Sequence, residues 1–194
     1  MLAATLAGLL LLAPAPASNG VSLAQAEALE AKLARVQAQR ATSRGKPQAP
    51  VVVTAEELNS YAAYKLGTKL PPEVSDLRVA LERDRLTATA LVNFDLLKAK
   101  LPPMGMFNPL SLLSGRVPAE LRGRLDNDQG FGSFQLEDAR LGSLPIPVTV
   151  IEEALQRSTR TAERPQGVDL ATPFRLPWGI RKVRLQPGRA LVEY

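Results

Sequence analysis

Three carboxylates and two glycines are the first residues of this chain whose spacing suggests chemistry. Asp126, Asp128 and Glu137 fall at positions one, three and twelve of a would-be calcium loop, and Gly130-x-Gly132 resembles a fragment of a phosphate loop. Neither motif is completed. Gly130 offers no side-chain ligand, Phe131 stands where a calcium loop needs glycine, and no helix start follows the glycine pair. Both stretches read as turn chemistry. Glu152 and Glu153 join Asp126 and Asp128 as the remaining candidates for acid–base work, which would need two of them to converge in one cleft. The chain has no Cys and no His. That removes thiol chemistry, disulfides, Cys/His zinc sites and histidine general-base catalysis together. No catalytic residue, metal or cofactor is therefore assigned, and a carboxylate-dependent hydrolase is only a remote alternative to a non-enzymatic protein.

The segments that carry these residues divide the 194-residue chain into three parts. In residues 1–17, the apolar run Leu2–Ala13 ends in Ala15-Pro16-Ala17, the pattern of a secretory signal peptide. The run is short for a bilayer span, and no cysteine follows it to be acylated. These features predict export to a bacterial periplasm or to the outside of the cell. Residues 18–50 hold a helix and a flexible linker. Ser22 and Gln25 form a capping box, and Leu29, Leu33 and Val36 make a narrow apolar stripe. Such a helix is weak alone in water, so it is expected to pack loosely or not at all, or else to dock an envelope protein or lie on a membrane. Gln37–Pro50 is polar, without period, and reads as linker.

Residues 51–194 read as a single α+β domain. Val51-Val52-Val53 is β-prone, and Thr54 with Glu57 opens a helix carrying Leu58, Tyr61, Ala62 and Leu66 on one face, with Gly67 at its end. Leu77, Val79 and Leu81, then Leu86, Ala88, Ala90, Val92 and Phe94, alternate with polar residues about a turn at Arg83-Asp84-Arg85. Val117–Asp126 is a third strand, and a turn at Asn127–Gly130 leads to a fourth containing Phe134 and Leu136. A Gly/Pro corner at Leu141–Pro147 precedes a helix with Val148, Ile151 and Leu155 on one face. Val183 and Leu185, then Ala190, Val192 and Tyr194, form a last hairpin about Pro187-Gly188. One face of these strands is apolar and the other wet, as in an antiparallel sheet covered on one side.

Two segments depart from this regularity. Lys98–Gly115 crowds Leu101, Met104, Met106, Phe107, Leu110 and Leu113 into a backbone broken by Pro102, Pro103, Gly105 and Pro109. It reads either as an adaptable cover over a binding cavity or a membrane-dipping loop, or as a connection closing one end of the core. Trp178, the one tryptophan, sits between Pro177 and Gly179 beside Arg175, Arg181 and Lys182. It reads either as an interfacial lip that meets headgroups or as a core residue ringed by solvated arginines.

The order of parts resembles a known family: a leader, the helix entry Thr-Ala-Glu-Glu-Leu-Asn, meandering hairpins, Gly-Ser-Leu-Pro-Ile-Pro before a helix, and Phe-Arg-Leu-Pro-Trp-Gly-Ile-Arg-Lys-Val before a closing hairpin. It is similar to bacterial envelope proteins of the LmeA type, themselves similar to single modules of the TULIP-like (tubular lipid-binding) superfamily. The resemblance covers about Val51–Tyr194. It implies a strongly curved antiparallel meander sheet wrapped around one or two amphipathic helices, with an apolar groove for acyl chains. Pro145, Ile146, Pro147, Val148, Ile151 and Leu155 correspond to the family's corner and helix.

The expected function is therefore an exported protein that binds or transfers a lipid or other amphiphile. Candidate groove residues are Leu58, Tyr61, Leu101, Met104, Met106, Phe107, Leu110, Leu113, Phe134, Ile146, Ile151, Leu155 and Trp178. Arg175, Arg181 and Lys182 are the candidate contacts to anionic headgroups, in keeping with a net charge of +5. The expected partners are a lipid or membrane surface and, through the N-terminal helix, an envelope protein. Nucleic acid is not expected, because the cations are scattered over hairpins and loops and no nucleic-acid motif occurs. The alternative is an envelope scaffold or adaptor with a closed core and no ligand.

Overall fold

The computed structural model describes residues 20–42, 49–99, 113–162 and 165–194. The expected leader, six linker residues and most of the Lys98–Gly115 segment, including Leu101, Met104, Met106, Phe107 and Leu110, lie outside them. The class is α+β, with two antiparallel sheets and few helices. In chain order the elements are α1 (Leu23–Thr42), β1 (Val51–Thr54), α2 (Ala55–Tyr61), β2 (Val74–Leu81), β3 (Arg85–Asn93), α3 (Phe94–Lys98), β4 (Arg116–Asp128), β5 (Phe131–Leu141), β6 (Leu144–Pro145), α4 (Val148–Ser158), β7 (Phe174–Arg175), β8 (Lys182–Gln186) and β9 (Arg189–Glu193). Strands β2-β3-β4-β5-β6, with β7 on β5, make the large sheet, and β1-β9-β8 make the small one. Among the described residues no helix is long and apolar enough to cross a membrane.

The alternating runs form the strands they predict. Leu81 faces Leu86, Leu86 faces Gly123, and Gly123 faces Leu136, so one apolar row crosses four strands. The next row is Val79, Ala88, Leu121 and Ala139. Gly123 is required in its row. A Cβ there would fall 2.7 Å from Phe134 Cε1 and 2.6 Å from the Gln135 carbonyl oxygen, so the Phe134 ring lies over the glycine. Opposite, the register of β4 and β5 shifts between Arg122 and Gly123, leaving Glu137 as an extra residue. Its Oε2 accepts from Arg85 Nε at 2.8 Å. That hydrogen bond holds the Glu137 carboxyl below the usual carboxylate range.

The helix starting after Thr54 is capped as its sequence predicts. Thr54 Oγ1 accepts from Glu57 N at 3.2 Å, and Glu57 Oε2 accepts from Thr54 N at 3.0 Å. Its end differs. Gly67 takes no left-handed cap (φ −51°); the chain widens to a π-type turn over Ala62–Leu66 and tightens to a 3-10 turn over Gly67–Lys69. The stop is left to the extended Leu70 and the Pro71-Pro72 pair that follows it. Asn93 likewise ends β3 early by accepting from Leu96 N at 3.3 Å, so Phe94 leaves the strand and is buried at the start of α3.

The N-terminal helix corrects an expectation. It neither stands free nor packs loosely: Ala26, Leu29 and Val36 are buried, and Val36 joins Leu176 and Ile180 in one core cluster. The capping box at its start is only half formed. Ser22 Oγ accepts from Gln25 N at 3.3 Å, but Gln25 Oε1 accepts instead from the buried Ser60 Oγ at 3.0 Å, and Ser60 Oγ accepts from Ser22 N at 3.1 Å. One hydroxyl on the helix after β1 thus replaces the local box with a tertiary one. Lys32 completes the attachment, its Nζ reaching both Glu57 oxygens at 2.6 and 2.7 Å and Val52 O at 2.6 Å.

Two asparagine side chains close other strand edges. Asn59 Oδ1 accepts from Val79 N at 2.6 Å and its Nδ2 donates to Val79 O at 3.0 Å, on the outer edge of β2. Asn127 does the same for Val183 of β8, at 2.6 and 2.8 Å. A strap of hydrogen bonds joins the ends of the segment between α3 and β4. Phe94 N donates to Gly115 O at 2.8 Å, Gly115 N to Asp95 Oδ2 at 3.0 Å, and Lys98 Nζ to Leu113 O at 2.6 Å. Replacing Asn127 by Ala strands an N–H and a C=O of β8, so urea unfolding is expected to show a loss of about 2 kcal/mol. Asn127→Asp sets an oxygen against Val183 O and is expected to lose at least as much. Because Glu137 titrates lower in the folded chain, its pairing contributes above the ordinary carboxylate range and is lost as pH falls through the folded value. Arg85→Gln and wild type are therefore expected to differ in Tm at neutral pH and to converge in acid.

Candidate functional site

The segment Pro173–Ile180 is fastened at two residues four apart. Leu176 and Ile180 are buried with Val36, Leu176 N donates to Gly130 O at 2.8 Å, and Leu176 Cδ2 lies so near Gly132 that a Cβ there would meet it at 3.0 Å. Before Leu176, β7 pairs Arg175 with Phe131 and Phe174 with Gly132. After it, Pro177-Trp178-Gly179 arch outward, closed by Ile180 N donating to Pro177 O at 3.1 Å. The arch demands left-handed backbone at Trp178 (φ 55°) and Gly179 (φ 77°). For a bulky side chain that conformation costs about 1–2 kcal/mol.

The result is an aromatic and basic lip. Phe131 is 49% exposed, Phe174 41% and Trp178 36%, and the Arg175 guanidinium lies 5.8 Å from the Phe131 ring centroid. Such a cation–π contact holds the arginine at the surface without neutralising it. Beside the aromatics, Arg175 and Arg181 line a cavity of about 250 Å³ with Gln129 and Gly130. Arg181 is fixed through its backbone, its N donating to Glu193 O at 2.7 Å and its O accepting from Gly130 N at 2.8 Å. The third expected cation stands apart. Lys182 lies 3.7 Å from Asp128 and does not line the cavity.

The expected groove residues fall into separate neighbourhoods. Leu58 packs with Leu81, Leu185 and Ala190 near β2, and Tyr61 is half-buried on the same helix. Ile146, Ile151 and Leu155 are half-buried beside β5, to which α4 packs; Ile146 N donates to Ala139 O at 2.8 Å. Phe134 lies over Gly123. Leu113 is half-buried within the strap to Lys98. Between the two helices run β3 and β4, whose Ala88, Ala90, Ala119 and Leu121 share the apolar side and are half-buried. Trp178 belongs to the lip. Of the carboxylates considered for acid–base work, the two aspartates are placed against cations, Asp126 3.3 Å from Arg124 and Asp128 facing Lys182, while Glu152 and Glu153 lie on α4. Among the described residues no three acidic side chains are grouped to hold a metal ion.

Sequence reasoning missed Phe131 and Phe174 as exposed members of the lip. The signal was present, since each lies within a residue or two of a glycine or arginine at a turn, but a strand-end Phe reads as core until its pairing partner is known. It also missed the support that Val36 of α1 gives the lip from behind. Comparison of the chain with protein-family models, with curated proteins and with solved structures gives no match. Because Trp178 is held in a strained, outward conformation, Trp178→Gly is expected to change unfolding free energy by no more than about 1 kcal/mol. A core tryptophan would lose about 3–5 kcal/mol on truncation, and denaturant titration separates the two.

Proposed function

We propose that the protein is an exported, non-enzymatic binder of an anionic lipid or similar amphiphile. The observation that carries this reading is the convergence of Arg175 and Arg181 on one cavity, with the exposed Phe131 ring against the Arg175 guanidinium and the exposed Trp178 next in the chain to the lining residue Gly179. Aromatic rings at a water–lipid boundary bury an apolar body while their edges stay wet, and two guanidiniums beside them suit a phosphate or carboxylate headgroup. The acyl chain then lies on the apolar side of β3 and β4, between α2 and α4, in a sheet curved around those helices as in TULIP-like modules. Each buried Å² of apolar chain contributes about 25 cal/mol. Lys182 steers from beside the cavity rather than binding in it.

The scaffold reading requires the N-terminal helix to offer its stripe to a partner. Burial of Ala26, Leu29 and Val36 within the chain's own fold speaks against that mode of docking.

The test is sedimentation of the purified chain with vesicles, followed by mass spectrometry of re-isolated protein. Anionic phospholipid vesicles are expected to bind and zwitterionic ones to bind weakly, and stoichiometric lipid should be recovered from the protein. Each cation near an anionic surface contributes about 1 kcal/mol, so Arg175→Gln with Arg181→Gln is expected to weaken anionic binding about thirtyfold. Protein that carries no lipid and prefers neither vesicle would end the proposal.

A further inference from the structure

Two arginine-lined cavities lie along the seam where β8 meets the large sheet, one at each end of that strand. At its start is the cavity of the lip, against the β4–β5 turn. At its end is a hollow of about 730 Å³ between two hairpin turns, lined by Arg83, Arg184 and Arg189 with Asp84. Backbone bonds lock the turns that form the hollow: Gly188 N donates to Leu81 O at 3.0 Å and Asp84 N to Leu185 O at 3.4 Å. Two of its guanidiniums are oriented by neighbours, Arg189 by Gln186 Oε1 at 2.9 Å and Arg184 by Glu193.

Between the cavities, β8 alternates. Val183 and Leu185 pack into the two core clusters, which turns Lys182 and Arg184 to the other side. The strand spans about 17 Å. Along it stand the cations Arg83, Arg175, Arg181, Lys182, Arg184 and Arg189. The carboxylates facing them are Asp84, Asp128 and Glu193. Six cations against three carboxylates leave +3, more than half of the chain's +5.

We propose that this seam is a track for a linear polyanion, a polymer bearing phosphate or carboxylate groups along its length. Arginine forks at both ends grip anionic oxygens in pairs, and Lys182 and Arg184 hold the middle by exchanging their carboxylate partners for the polymer. Joining two modest sites with one ligand raises overall affinity well above either alone. The track needs neither an acyl chain nor an apolar groove, so it stands whether or not the lipid reading does.

The test titrates the full chain with long-chain inorganic polyphosphate and with triphosphate, by calorimetry at low salt. Per molecule, the long chain is expected to bind at least about tenfold tighter than triphosphate, falling steeply with added salt. Arg83→Gln with Arg189→Gln, at the end remote from the lip, is expected to remove that advantage while leaving anionic-vesicle binding unchanged. Arg140→Gln with Arg157→Gln removes the same charge elsewhere and is expected to retain it. Equal affinity of the two phosphates for wild type would overturn the track, as would an equal loss in the Arg140/Arg157 control. A remote-end variant that loses vesicle binding but keeps polyphosphate would assign the seam to a membrane surface and overturn it as well.

Discussion

Edge strands expose backbone donors and acceptors that must find partners, and at β1, β2 and β8 side chains supply them. Lys32 reaches the carbonyl of Val52 on the edge of β1, Asn59 brackets Val79 on the edge of β2, and Asn127 brackets Val183 on the edge of β8. A primary amide presents one donor and one acceptor in nearly the geometry of a peptide group, so each asparagine stands in for one residue of a missing strand. An open edge would otherwise template pairing with another chain. The three stitches do more than blunt edges. They fasten α1 to the small sheet, α2 to the large sheet, and the two sheets to each other.

That fastening explains why the lip can be so exposed. Trp178, Phe131 and Phe174 gain little from burial, and Trp178 carries backbone strain, so something else must hold them out. The restraint comes from beneath: Leu176 and Ile180 are anchored against Val36, and Arg181 is held between Gly130 and Glu193 by its own peptide groups. Strain of this kind survives only where surrounding contacts over-determine it. A helix that reads as a dispensable extension is thus part of the foundation for the most exposed aromatic surface.

What the sequence disclosed was local. Period-two alternation at Leu77, Val79 and Leu81, the Thr54/Glu57 box and the Pro187-Gly188 turn each involve residues a few positions apart, and all three appear as read. What it concealed was non-local. Asn127 reads as turn chemistry because nothing near it in sequence reveals Val183. Gly123 reads as one more step of alternation until Phe134 is found across it. Gln25 reads as half of a capping box until Ser60 takes its oxygen. Gly67 follows the local rule for a helix end, yet the chain passes through it right-handed and stops at the prolines. At the lip, the pairing of Phe131 with Arg175 turned an expected strand end into an exposed aromatic corner.

The pairing of β1 with β9, Val51 opposite Val192, joins segments far apart in sequence. Contacts so distant in sequence form slowly, because a long loop must close before any of its hydrogen bonds is gained. Until β9 arrives, β1 has no strand beside it, and α1 lacks the platform that Val51, Val192 and Tyr194 help to build. The large sheet, by contrast, is built mostly from strands that follow one another in chain order, β2 to β6. Folding is therefore expected to be vectorial, with the meander first and the clasp of the small sheet last. The aromatic lip, resting on that clasp, becomes available only once the chain is otherwise finished.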